Sequence, residues 1–321
     1  MAYTTSNEAN IVRQTLYDAT MEKQLDDWLV GRPLFDDKTG VFGDGDDLNI
    51  TFTADRDVDN YTENTQIAFD NMATSRVNLA VTAYEQDAWY ITDKLKQDGW
   101  QAESFWAENV RKSGIAMQRD LETSCLAVAN QQTLSDPNLI SGAAHRFQGG
   151  GTGGALQIKD ISAIKLAFDK AYVPTQNRML IITPEMEFEL NNLLNITEVS
   201  NGSQFNYNVD GLIQTGFGDG LDIVRNILGI NIMISHNLPA VTAETLTGYD
   251  GTGGGVITGK ACVAMSMADA SSMPFMGVIR QRPQSEFFRN TNFKRDEWSS
   301  TCRYGFGLKR PETLAVIATP V

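Results

Sequence analysis

Residues 101–131 constrain the fold more than any other stretch. Phe105, Trp106, Val110, Ile115, Leu121, Cys125, Leu126 and Ala129 recur there at helical spacing, and no proline interrupts them. The pattern predicts one helix with a single weak point at Gly114. At about 1.5 Å per residue it would be roughly 45 Å long. That is a strut, longer than a compact domain usually needs.

The stretch before it changes period. Leu48, Ile50 and Phe52 alternate with polar residues, and Val77, Leu79 and Val81 do so again, followed by "AWYIT". Between them lies the polar "DRDVDNYTENTQ". This predicts a long antiparallel hairpin over 48–93 with a polar far end. A two-stranded ribbon is marginal in water, so this one needs a surface to lie on.

The remaining elements follow in order. Residues 8–30 have the spacing of an amphipathic helix, ended by Gly31-Arg32-Pro33. "FDDKTGVFGDGDD" is an acidic connector that lacks the order and terminal Glu of a calcium loop. Helices are expected over 160–172 and 184–194, the second with Thr183 as N-cap and Pro184 at N1. A short strand, "RMLIITP", lies between them. Residues 196–220 and "GYDGTGGG" are loop-like, and 256–321 is mostly strands. The class is α+β around a long helix, without alternating βαβ units and without an internal repeat.

Composition excludes several functions. The chain has 40 acidic and 26 basic residues, a net charge of −14, which repels phosphate backbones and opposes sequence-specific nucleic-acid binding. The start "MAYTTSNEAN" lacks the features of a signal peptide, and no apolar run approaches a membrane span. Cys125, Cys262 and Cys302 are isolated, as reduced buried thiols of a cytosolic protein would be. His145 and His236 are too few for a metal site or a base dyad, and no nucleophile elbow occurs. Gly149, Gly151 and Gly154 spell G-x-G-x-x-G. However, "SGAAHRFQ" before them does not read as a buried strand, and the expected helix begins too late. A connector is the plainer reading, and neither a catalytic residue nor a cofactor is expected.

The ordered set of elements resembles the major capsid protein of tailed double-stranded-DNA phages, the HK97 fold. Four segments carry the resemblance. "DDLNITFTADRDVDNYTENTQIAFDNMATSRVNLAVTAYEQDAWYITD" is similar to the family's extended loop, and "FWAENVRKSGIAMQRDLETSCLAVAN" to its spine helix. "YVPTQNRMLIITPEMEFELNN" matches a V-P-x-x-x-R-x-x-x-x-x-P segment through Val173, Pro174, Arg178 and Pro184. "YGFGLKRPETLAVIAT" is similar to the C-terminal ending. The resemblance implies an N-terminal arm (1–46) and an extended loop (47–95). It also implies a peripheral domain (96–132 and 276–307) and an axial domain (133–275 and 308–321). Subunits would meet as hexamers and pentamers in an icosahedral head, with the extended loop on a neighbour's peripheral domain. That supplies the hairpin's missing surface.

Two departures refine the expectation. Only residues 1–46 precede the hairpin, so a separate scaffolding protein is expected rather than a fused one. No lysine lies between Lys38 and Lys94, so the covalent crosslink of some family members is not expected, and a cement protein is a candidate partner. A portal protein is implied as well. Packaged DNA would be only a non-specific neighbour, no membrane is involved, and assembly would occur in the host cytoplasm.

Charge suggests the contacts. Residues 1–70 carry 15 acidic against 5 basic residues, and residues 280–310 carry 8 basic against 3 acidic. The inter-subunit candidates are therefore Asp55, Arg56, Asp57, Asp59 and Tyr61 on the loop, and Arg280, Arg282, Arg289, Lys294 and Arg295 on the strands. Two solvated faces are the plainer alternative for this asymmetry, and DNA is another counterpart for the basic strip. The competing functions are an encapsulin-like cargo compartment, a nucleotide-binding enzyme using residues 149–154, and an adhesin or tail component.

Overall fold

The computed structural model describes the chain apart from residues 1–33, 43–44, 46, 54–57, 59, 68, 70, 72–73, 100–101, 133–138, 194–225 and 321. The helix expected over 8–30 lies outside the described residues. Strand β1 (Asp36–Asp37) is followed by β2 (Asp47–Thr53) and β3 (Thr74–Ala80), which pair antiparallel in unbroken register from Asp47↔Ala80 to Thr53↔Thr74. The expected hairpin is thus present, but it ends at Ala80. The next strand, β4 (Ala83–Thr92), leaves it and pairs with a strand two hundred residues on. The period of two continues across the break, so pattern alone fuses what tertiary pairing separates.

Helix α1 (Asp93–Asp98) leads into α2 (Ala102–Ala127), which tightens into a 3₁₀ turn at Val128–Gln131. Together they form the predicted strut. The strands β5 (Leu139–Ile140), β6 (Ala143–Ala144) and β7 (Arg146–Gln148) precede α3 (Ile158–Lys170), β8 (Arg178–Ile182) and α4 (Pro184–Leu193). Thr183 caps α4 as expected, its hydroxyl accepting from the Met186 N–H at 3.4 Å. Then come β9 (Asn226–Ile227), β10 (Ile230–Ile234), β11 (Ala240–Leu246), β12 (Gly255–Ser266), β13 (Phe275–Asn290), β14 (Arg295–Leu308) and β15 (Leu314–Thr319).

Two large sheets result. One has the order β1-β13-β14-β4 and the other β7-β15-β12-β8-β10-β9, with β11 on the near end of β12; they fall in the segments expected to be peripheral and axial and are labelled the peripheral and axial sheets accordingly. Central axial strands are buried on both faces, as sheets covered on both sides require. Leu314, Val316 and Ala318 face a core shared with Leu34, Phe35, Leu126, Phe275 and Ile279. Ala315 and Ile317 face Phe147, Ile161, Ile164, Phe168 and Leu190 beneath α3 and α4. The peripheral sheet packs one face under α2. Met117 touches Ser300 there, and the Tyr304 hydroxyl bonds Asp120 and, at 3.1 Å, Ser124.

β7 corrects the sequence reading of "SGAAHRFQ". Phe147 is fully buried, and β7 pairs in parallel with β15 through Val316↔Arg146 to Ala318↔Gln148. Arg146 is also buried, because Glu244 takes its Nε at 2.7 Å. A charge next to a histidine gave no local sign of a core strand. Its neutralising partner lies 98 residues away.

Candidate inter-subunit surface

Among the described residues the apolar anchor of the hairpin is at its base. Leu79 and Val81 pack with Met276 and Val278, joined by Leu48, Ile50 and Val77. The contact is close enough that a Cβ on Gly305 would stand 2.3 Å from the Ala80 carbonyl. Beyond the base the Arg310 guanidinium lies over the Phe52 ring at 5.9 Å, and the apolar side chains described further out are exposed. Val58 is 96% exposed, Tyr61 69%, Ile67 60% and Phe69 90%. Tyr61 was identified from the sequence; Val58, Ile67 and Phe69 were not, being scattered in a polar stretch. Asp55, Arg56, Asp57 and Asp59 lie outside the described residues.

Among the described residues the peripheral sheet has one face packed under the strut and one bare face. The row Phe287–Trp298–Trp89 lies on the α2 side, where Trp106 meets Trp89 and Phe287 edge-to-face, with ring centres 4.2 and 5.5 Å apart. The adjacent row Phe288–Glu297–Tyr90 therefore points the opposite way. Phe288, Tyr90 and Tyr84 are all exposed on this bare face. The Arg295 guanidinium lies 4.3 Å from the Tyr90 ring centre and 4.8 Å from that of Phe293.

The basic strip is largely committed within the chain. Arg289 holds both oxygens of Asp93, at 2.6 and 2.7 Å, and Asp296 at 2.6 Å, while Lys96 also bonds Asp296. Hydrogen bonding from Arg289 holds the Asp93 carboxyl below the usual range. Arg295 binds Glu297 at 2.6 Å and lowers its carboxyl likewise. Arg280 lies over the Phe42 ring at 5.5 Å. Lys309 binds Asp36 at 2.7 Å, with Lys38 on the same oxygen at 2.8 Å. Burial pushes the Asp36 carboxyl up, and the two ammoniums more than reverse it. Arg282 and Lys294 remain exposed. A count of charges could not separate these groups, because the acidic partners come from distant segments.

The glycine stretch is built for packing. A Cβ on Gly149 would meet the Gly154 carbonyl at 2.3 Å, and one on Gly254, at φ +88°, the Leu246 carbonyl at 2.1 Å. Loops 148–157 and 248–256 enclose a cavity of about 620 Å³. The seat that a phosphate would take at the start of α3 is filled by Asp160, whose carboxylate accepts from the Gly150 N–H at 3.0 Å and the Gln157 N–H at 2.8 Å. Asp160 is fully buried. The strand–loop–helix order is thus closer to a dinucleotide fingerprint than the sequence suggests, yet the anion site is occupied by the chain itself. Among the described residues no cluster of His, Cys, Asp and Glu could hold a metal ion. All three cysteines are buried and free.

A bare sheet face, an unsupported apolar hairpin and a self-filled glycine loop are features of a building block. A family model for phage capsid protein matches residues 39–317. The chain belongs to the phage capsid protein family. No curated protein matches it. Solved capsids share its fold at low identity. The cyanophage P-SCSP1u capsid aligns with TM-score 0.64 and 14% identity over 97% of this chain and 93% of that one. A structure from Mycobacterium phage Che8 gives 0.60 and 17% over 94% and 98%. The capsid of a native GTA particle gives 0.62 and 8% over 96% of each. The capsid protein is therefore an α+β chain of the HK97 type, a structural protein of the virion shell that associates with itself in a capsid lattice.

Proposed function

We propose that this capsid protein forms the hexamers and pentamers of an icosahedral head enclosing double-stranded DNA, and that it carries no catalysis. The observation that carries this reading is the hairpin. Its tip exposes Val58, Tyr61, Ile67 and Phe69 among the described residues. The bare peripheral face, with Tyr84, Tyr90 and Phe288, offers the matching apolar surface on a neighbour. Patches of this kind mark association surfaces.

The arm is 1–46, the extended loop lies within 47–95 with its last strand, β4, joined to the peripheral sheet, the peripheral domain is 96–132 with 276–307, and the axial domain 133–275 with 308–321. The acidic loop residues Asp55, Asp57 and Asp59 would steer toward Arg282 and Lys294. Arg280, Arg289 and Arg295 serve mainly their own chain. Exposed ion pairs contribute only about 0–1 kcal/mol each, so the charges set register while the aromatic groups supply adhesion. A separate scaffolding protein, a portal and a cement protein complete the head, and assembly takes place in the host cytoplasm.

Negative-stain microscopy of the protein co-expressed with its scaffold tests the reading. Closed shells from the wild type, and none from the Tyr61→Ala/Phe69→Ala variant, are expected. Shells of normal yield from that variant would overturn the docking mode.

A further inference from the structure

Strand β14 of the peripheral sheet becomes β15 of the axial sheet through a short crossover, the 3₁₀ turn Pro311–Thr313. Two buried side chains flank it. On one side Gln132, at the end of the strut, donates from Nε2 to the carbonyls of Pro311 at 2.8 Å and Leu314 at 3.0 Å. On the other side lies His145, fully buried beside Phe168. Its backbone carbonyl receives the Val316 N–H at 2.7 Å, and its Nδ1 donates to the Ala143 carbonyl at 3.0 Å. That fixes the neutral tautomer and leaves Nε2 buried without a partner.

We propose that His145 is a proton-operated latch on the crossover between the two sheets. It is closed while the ring is neutral and loosened when Nε2 takes a proton. Protonated, Nε2 would donate toward the Glu312 backbone carbonyl on the crossover, and that bond offsets only part of the cost of a buried charge.

The charged groups around the ring are few. On the crossover, Glu312 faces it and pairs with Arg310 at 3.1 Å. From α3, Lys170 donates to the Gly142 carbonyl at 3.0 Å. On the ring's own strand, Arg146 is held by Glu244. Burial lowers the His145 pKa below 6.5, and Glu312 partly opposes it. The folded state therefore binds fewer protons than the unfolded state below that value. Stability is full above pH 6.5 and falls as the pH drops.

The chain has only two histidines, so the assignment can be tested cleanly. Denaturant unfolding of the full-length protein is compared at pH 7.5 and 5.5. One histidine held neutral makes the unfolding constant rise by up to about tenfold over that interval. The wild type and His236→Gln should show that rise, His145→Gln should not, and Glu312→Gln should show an equal or larger one. Hydrogen exchange of peptides covering 306–320, corrected for intrinsic rates, should show lost protection at pH 5.5 in the wild type and His236→Gln but not in His145→Gln. A rise that persists in His145→Gln, or vanishes in His236→Gln, overturns the latch. If His145→Gln does not fold, a smaller rise in Glu312→Gln than in the wild type, or a flat wild type, overturns it as well.

Discussion

β15 and the outer half of β13 are both strands of large sheets, but their surroundings are opposite. All 6 residues of β15 are buried, whereas Arg282–Arg289 are exposed throughout. The axial sheet finds both its covers, α3 with α4 and the end of α2, inside the chain. Among the described residues the peripheral sheet is covered by the strut on one face, and the hairpin is packed at its base. The axial region is specified by what it buries alone. The peripheral region and hairpin are specified by what they will bury in company.

The largest effect that could break this contrast lies in the axial core. Phe168→Ala should cost about 3–5 kcal/mol of folding stability, measured by urea unfolding of the subunit. Lys309→Met comes next, because it leaves Asp36 buried with only Lys38 to oppose its charge. A loss of about 3 kcal/mol is expected at neutral pH. The Asp36 carboxyl is held low in the fold, so the stability it contributes is present above pH 3.8 and fades as the pH falls through the lowered value. The difference between the variant and the wild type should therefore shrink in acid unfolding curves. Gly254→Ala forces a Cβ onto the Leu246 carbonyl and should cost about 1–3 kcal/mol, visible as a lowered Tm.

Phe69→Ala should change subunit stability by no more than about 0.5 kcal/mol while sharply reducing shell yield. Equal costs for Phe168→Ala and Phe69→Ala in the isolated subunit would erase the contrast. The smallest effect is a gain. A Cβ on Gly114 meets nothing within 4 Å, so Gly114→Ala should raise the strut's stability by about 0.5–1 kcal/mol. Impaired assembly of that stabler subunit would reveal a neighbour's close approach at this turn.

Regular elements with a single dominant period were legible from residues alone. The strut, α3, α4 with its Thr183 cap, and the long C-terminal strands fall within a few residues of expectation. What was not legible depends on partners far along the chain. β4 could not be told from the hairpin, since its ladder is made with β14. β7 was missed because Arg146 looks like a surface residue until Glu244 is beside it. The inter-subunit surface was half visible. Charge counting found the strip of 280–310, but not that Arg289 and Arg295 are already paired. Alternation could not say which of Phe287 and Phe288, both exposed, reaches Trp106.

The Asp160 carboxylate has a further consequence. A group tethered ten residues from the amide it binds competes at an effective concentration set by the fold, not by the solution. Burial pushes the Asp160 carboxyl up, and the Gly150 and Gln157 amides pull it back. Free phosphate or nucleotide in the cell would have to outcompete a counter-ion that never diffuses away. The loop is thus permanently self-inhibited as an anion receptor, and its glycines serve the close approach of backbone to backbone.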